Sequence, residues 1–335
     1  MPYPIVDTEV VKRAVQLACR APSLHNSQPW RWVVDGPVVQ LFVDPARAPA
    51  HTDRTGKETL IGCGAVLDHF RVAMAALGWT ANIDRFPNPN NRHHLASIDF
   101  SPTEFVTEGH RRRADAISVR RTDRLPFAAP SDWESVEGAM RGSSTDDAVR
   151  LDVVPDKLRP ALAQASRLAE SLRLYDSQYH AEIWQQATDS PAATGIPRSA
   201  LVTAAEGDRV GIGRRFPATS NPERREEIGE DQSKIVVLST YDDTQDSMLR
   251  CGETLSAVLL DATMAGLATC TLTHITELAE SRQLLSALIG PDVTPQAIVR
   301  VGEVPSTEDL GPLTPRRPID EVFQVSRNPT GEQRG

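Results

Sequence analysis

The chain has 335 residues, long enough for two domains of common size or for one large core built from two repeated units. Apolar residues make up 40% and charged residues 24%, a globular composition that excludes a disordered or fibrous chain. The 36 basic and 45 acidic residues leave a formal charge of -9, which opposes general binding to nucleic acid or an anionic membrane and confines any anion site to a local basic cluster.

In chain order, Val11, Ala14, Val15 and Ala18 recur at helical spacing, which predicts a helix over 8–19 and, from Pro22, a loop. The β-rich run 31–43, interrupted at Asp35-Gly36-Pro37, reads as a hairpin, and 58–77 as a long, largely apolar helix ending at Gly78. Short strands are expected at 79–85 and 95–100, then a connector over 101–109. Beyond it the pattern predicts helices near 110–118 and 132–140, a strand near 149–154 and a long helical stretch over 157–185. From 188 to 232 the chain is rich in Gly, Pro, Ser, Arg and Glu without a sustained apolar period, as in a loop excursion of the lid type. Regular structure resumes with an Ile-Val-Val-Leu strand over 234–240.

Cys19, Cys63, Cys251 and Cys270 form no CxxC pair and no zinc spacing with histidine, so they read as reduced, buried thiols with no metal site. Acidic Asp7 and Glu9 precede any basic residue, and the longest apolar stretch, 257–272, contains Asp261. Neither a signal peptide nor a membrane span is expected, and a cytoplasmic location follows.

One internal correspondence stands out. Cys63-Gly64 with Leu67 and Gly78 matches Cys251-Gly252 with Leu255 and Gly266 at a constant offset of 188, and a strand follows both times. Glycines inside helices also serve close helix packing without any repeat.

Three clusters can carry chemistry. The loop Ala21-Pro22-Ser23-Leu24-His25-Asn26-Ser27-Gln28-Pro29-Trp30 is a rigid turn by composition. A planar carboxamide such as Asn26 or Gln28 also matches the donor flanked by acceptors on a flavin pyrimidine edge, and the prolines would hold it in place. The second cluster, Arg120-Arg121-Thr122-Asp123-Arg124, is a solvated face or an anion site; arginines two and four positions apart around a hydroxyl can surround a phosphate. The third is Thr314-Pro315-Arg316-Arg317-Pro318, whose following apolar alternation over 319–325 suggests a docked tail. Gly211-Ile212-Gly213-Arg214-Arg215-Phe216 lacks the third glycine of a dinucleotide fingerprint and follows no strand. No HExxH, GxSxG or Walker pattern occurs.

Together the three clusters resemble the FMN-dependent nitroreductase superfamily, and the whole chain is similar to its Acg-type branch, which carries the same AP-S-x-H-N-x-Q-P-W-R-W loop. The resemblance implies a nitroreductase-like α+β fold that binds FMN. Pro22, Ser23, His25, Asn26 and Gln28 match the QPW-type loop, Arg120, Thr122 and Arg124 the R-x-S-x-R/K phosphate loop, with Thr for the usual Ser, and Arg316 and Arg317 the C-terminal basic pair. In the superfamily these motifs come from two subunits. Here the QPW loop lies in the first half, the other two motifs in the second, and the second half's counterpart loop, 142–146, has no Asn, Gln or Trp. A covalent pseudo-dimer of halves 1–105 and 106–335 is therefore implied, monomeric, with one FMN per chain. NAD(P)H is the implied reductant, and the flavin does the hydride chemistry, so that no catalytic acid or base need come from the protein. A lid over 188–232 that closes on the flavin would favour storage or sequestration of flavin instead.

Overall fold

The computed structural model describes residues 5–144, 146–187, 194–305 and 313–326. Asp7 caps the first helix, α1 (Thr8–Ala18), by accepting from the Glu9 amide, and Val11, Ala14, Val15 and Ala18 turn inward at the expected spacing. A hairpin follows, β1 (Trp30–Asp35) and β2 (Val38–Val43), with Gly36 at φ +59° in its turn. Helix α2 (Lys57–Ala76) is buried on nearly every side, and Gly78 at φ +87° turns the chain into β3 (Trp79–Arg85) and β4 (His94–Pro102). Length and apolarity alone would let α2 cross a membrane, but here it is a core helix, packed against a second one.

The second part begins with α3 (Glu108–Val119), α4 (Trp133–Ser143) and β5 (Val149–Val154). The stretch 157–185, expected as one helix, is two: α5 (Arg159–Arg173) and α6 (Ser177–Gln186). Asp176 accepts from the Tyr179 amide, and this cap starts a new helix axis that apolar spacing does not reveal. Of the excursion 188–232, residues 188–193 lie outside the described residues. The remainder is not wholly irregular, since a Thr203/Glu206 capping box starts a short helix, α7 (Ala204–Val210). Then come β6 (Lys234–Thr240), α8 (Gln245–Met264), β7 (Ala268–Leu272), α9 (Ala279–Ile289) and β8 (Thr294–Gly302), and the C-terminal arm ends in α10 (Ile319–Val322) and β9 (Phe323–Val325). The protein is thus α+β, as expected.

The strands form two sheets, in the orders β3-β4-β2-β1-β9 and β5-β6-β8-β7. Read from the opposite edge, the second sheet is β7-β8-β6-β5, so each contains an antiparallel pair followed by a long helix and two further antiparallel strands in the same order, although β1 and β2 form a hairpin while α5, α6 and α7 lie between β5 and β6. Even the irregularity repeats. The β2–β4 register shifts between Leu41 and Phe42, and the β6–β8 register between Leu238 and Ser239. β6 and β8 are buried almost throughout because apolar clusters cover both faces of their sheet, whereas β3 alternates at the edge of the other. The arm crosses back to the first sheet, where β9 pairs in parallel with β1.

Between the sheets α2 and α8 cross at the glycines that carry the sequence repeat. A Cβ on Gly64 would lie 1.9 Å from the Leu249 carbonyl oxygen, and one on Gly252 2.0 Å from that of Ile61. Both pairs obey the 188-residue offset: Ile61 corresponds to Leu249 and Gly64 to Gly252, so the contacts are reciprocal, as across a two-fold axis. Asp68 and Ser256, also 188 apart, meet each other with the Ser256 hydroxyl donating at 2.6 Å.

Candidate functional site

The loop after α1 is wound tightly, with His25, Asn26 and Gln28 all in the left-handed region at φ +51°, +58° and +51°. Such backbone in non-glycine residues persists only where surroundings fix it, and it clusters at functional sites. Here the fixing partners come from both ends of the chain. The Gln28 amide donates to Ser23 Oγ at 3.0 Å, and Gln28 Nε2 to the Asn26 carbonyl at 3.2 Å. Asn26 Nδ2 donates to the Pro315 carbonyl at 3.2 Å, while the Arg317 amide donates to Gln28 Oε1 at 2.8 Å. Arg317 Nη1 adds a bond to the Gln28 carbonyl at 3.2 Å.

Asn26 and Gln28, the two carboxamides that the sequence offers for a flavin edge, thus also latch the C-terminal arm, and Gln28 is fully buried. Arg317 likewise holds the arm to this loop and pairs with Glu321 at 3.2 Å.

The latch sets Arg316 beside the end of α1. Its Nε donates to the Cys19 carbonyl at 3.0 Å and Nη2 to the Arg20 carbonyl at 3.1 Å, and Arg120 Nη2 donates to the same Arg20 oxygen at 3.1 Å. These carbonyls belong to the C-cap of α1 and the residue after it, at the negative end of the helix dipole, and they accept hydrogen bonds from the guanidiniums. Among the described residues none of Arg20, Arg120 and Arg316 pairs with a carboxylate. Burial, reinforced by Arg120 and Arg20, pulls Arg316 down to about 9, and burial with Arg20 pulls Arg120 down to about 10. Three cations gathered, among the described residues, without a paired carboxylate have the chemistry to hold an anion. Arg20 stands outside every sequence motif, and its basic character beside the loop is the one signal of it that the sequence carries.

Arg124 does not join them. It faces a cavity of about 830 Å³, together with Ser23, His25, Thr122 and Phe216. Its guanidinium lies 5.1 Å from the Phe216 ring centroid, a cation–π contact, and burial pushes it below the ordinary arginine value. The expected phosphate loop is thus divided: Arg120 on the cluster, Arg124 on the cavity, and Thr122 between them, bridged to Thr269. The backbone explains the division, because the Asp123 amide donates to the Thr269 carbonyl at 2.9 Å and the chain is extended there, so that at about 3.3 Å per residue four residues carry Arg124 roughly 13 Å along from Arg120.

His25 is buried, neither ring nitrogen has a hydrogen-bond partner, and its ring meets Phe216 edge-on at 5.8 Å. Burial first, then Arg214 and Arg124, hold it well below the ordinary histidine range, so it is neutral at physiological pH. Pro22 also lines the cavity. The wall opposite belongs to the excursion, residues 202–218, which is tied down by ion pairs. Arg225 meets Asp123 at 2.5 Å, Arg224 meets Glu206 at 2.9 Å, and Arg214 is buried against Glu277. The four cysteines are buried free thiols, and no group of acidic, His or Cys side chains among the described residues could hold a metal ion.

No family model matches the chain. It is 65% identical over 325 residues to the "Putative NAD(P)H nitroreductase acg" of Mycobacterium tuberculosis (strain H37Rv), covering 97% of this chain and 98% of that relative. It is 35% identical over 332 residues to the "Putative NAD(P)H nitroreductase Rv3131" of the same strain, covering 95% and 92%. Among solved structures, the FMN-dependent nitroreductase NfnB from Mycobacterium smegmatis in complex with NADPH shares 16% identity at a TM-score of 0.41, covering 66% of this chain and 100% of the other. A nitroreductase with bound FMN from Bacteroides fragilis shares 13% at 0.39, covering 60% and 93%.

Proposed function

Because the chain belongs to the NAD(P)H nitroreductase family, we propose that it is an oxidoreductase that binds one FMN per chain and takes its reducing equivalents from NAD(P)H. The observation that carries this reading is the partly buried cluster of Arg20, Arg120 and Arg316, without a carboxylate among the described residues, near a cavity of about 830 Å³. That volume is in the range of ligand pockets, and a phosphate on the cluster would supply the missing counter-charge. Flavin mononucleotide fits both halves of the site: the phosphate on the arginines, the ring in the cavity against Pro22, Ser23, His25, Thr122 and Arg124. When bound, it supplies hydride transfer. The protein's part is to bind and orient. Arg120 and Arg316 hold the phosphate, and Asn26, Gln28 and Arg317 hold the arm that delivers Arg316. Arg124 places positive charge beside the ring.

The repeated sheet order, the repeated bulge and the reciprocal helix crossing support a pseudo-dimer of two halves, 1–105 and 106–335, within one monomeric chain. One site per chain is proposed because the loop after α4 lacks the Asn, Gln and Trp of its counterpart.

A second role, holding FMN with little turnover, is favoured by one observation: Phe216 of the 188–232 segment reaches across to both His25 and Arg124 inside the cavity. Anaerobic mixing of the FMN-loaded protein with NADPH decides between them. Rapid loss of the flavin's visible absorbance supports the oxidoreductase. Slow loss with NADPH but fast loss with dithionite supports the holding role, and a protein that takes up no FMN overturns both.

A further inference from the structure

The cavity has an acid on its floor that no motif marked. Glu58, in the first turn of α2, is 4% exposed and lines the cavity together with Ile61 and Gly62 from the same helix. Its Oε1 accepts no hydrogen bond and stands 3.2 Å from Lys57 Nζ, which itself donates to the Thr276 carbonyl at 2.7 Å. Beside it lies Asp53, which is occupied as an acceptor: the Glu58 amide donates to its Oδ1 at 3.2 Å and the Thr59 amide to its Oδ2 at 2.7 Å. Neither Lys57 nor Asp53 lines the cavity; Glu58 alone of the three does.

Resting on the oxidoreductase reading above, we propose that Glu58 is the proton donor to the acceptor reduced in this cavity, a planar molecule bearing a carbonyl or nitro oxygen. For a quinone the step balances simply. The acceptor takes one hydride, which originates in a reduced nicotinamide dinucleotide and forms the O–H bond on one quinone oxygen; the Glu58 O–H bond breaks, and its proton forms the O–H bond on the other oxygen to give the hydroquinone. The carboxylate left behind faces the Lys57 ammonium, which holds its charge until water returns the proton.

The surroundings keep that proton in place beforehand. Burial first, and then the Asp53 hydrogen bond and the charges of Glu277 and Asp53, push Glu58 well above the ordinary glutamate range; Lys57 is the opposing influence. Asp53 comes from the turn before α2 and Glu277 from the loop before α9, where it is paired with Arg214 and Arg173. Glu170, a half-buried acid along the cavity, accepts the Arg215 amide at 3.3 Å and is more exposed than Glu58.

Infrared spectroscopy of the intact protein at pH 7 is the first test, because it needs no turnover and no FMN. The wild type should show a protonated-carboxyl stretch that shifts in D2O and is lost in Glu58→Gln; no such band, or one that persists in the variant, overturns the proposal. The second test is reoxidation of photoreduced, FMN-loaded protein by 1,4-benzoquinone. Glu58→Gln should slow it about 100-fold, the size of a general-acid contribution, and abolish its solvent deuterium isotope effect. Glu58→Asp should be slowed while keeping the isotope effect, and it serves where the Gln variant does not fold. Reoxidation of a folded variant at the wild-type rate overturns the proposal. A protein that never takes up FMN sinks the oxidoreductase reading instead, and the infrared band still reports on Glu58.

Discussion

The crossing of α2 and α8 offers a quantitative test of the fold. In Gly64→Ala the new methyl would sit 1.9 Å from the Leu249 carbonyl oxygen, about 1.5 Å short of an ordinary contact of 3.4 Å. The clashing atom is backbone, so no rotamer relieves it and the helices must separate. Overpacking of this kind typically costs about 1–3 kcal/mol, and a backbone-to-backbone clash belongs at the upper end. For 335 residues the unfolding entropy is about 0.7 kcal/mol/K, so a loss of about 3 kcal/mol lowers Tm by about 4 °C. Gly252→Ala should cost a similar amount through its reciprocal clash with Ile61. The double variant is the sharper probe, because one separation of the helices relieves both clashes. Its loss should lie within about 1 kcal/mol of either single variant, far from additivity. Gly138→Ala is the control: it lies on α4, a methyl added there would meet nothing within 4 Å, and the change should stabilise by up to about 1 kcal/mol. Thermal melting followed by circular dichroism reads all four. Additive losses, or an unchanged Tm in the single variants, would refute the shared crossing.

Arg120→Ala and Arg316→Ala should each weaken FMN binding about tenfold to a hundredfold, because a hydrogen bond to a charged group contributes about 1.5–3 kcal/mol, and neither should lower Tm without ligand; fluorescence titration measures the first and melting the second. Phe216→Ala should speed both NADPH-driven bleaching and FMN release in stopped-flow measurements, since one ring stands over the cavity; a change in only one rate argues against a common barrier. Asp231 is buried against Arg300 at 2.5 Å, and Asp231→Asn, which leaves that guanidinium uncompensated, should destabilise by about 3–5 kcal/mol. Asp231 is also held below the ordinary aspartate range by Arg300, Ser233 and the Phe127 amide despite its burial. Its contribution is therefore full above the unfolded-state value and declines as pH falls through the lower folded one, so the variant should lose less stability than the wild type on acidification.

Much of this architecture was legible because it is local or periodic. The helical spacing of Val11 to Ala18, the hairpin around Gly36, and the glycines 188 apart each leave a mark on a short stretch of sequence. The repeat was visible in Gly64 and Gly252 for a physical reason: at their crossing a Cβ has no room. The arm's docking showed in the apolar alternation after Pro318. What escaped was pairing across the chain. Nothing near Gln28 reveals that its amide oxygen will receive the Arg317 amide, 289 residues away, or that Asn26 will hold Pro315. Arg124 was grouped with Arg120 by spacing, and only the β-bridge at Thr122 parts them. Arg20 and Glu58 lie in no motif, and their roles come from burial and neighbours that a linear reading does not contain.

The central claim, one FMN site made by the arm, the loop after α1 and the loop after α3, is tested most directly by stoichiometry. Protein saturated with FMN, freed of excess ligand and acid-denatured, should release FMN at one molecule per chain by chromatography, and removal of residues 313–335 should abolish retention. Two flavins per chain, FAD in place of FMN, or undiminished retention without the arm would contradict it.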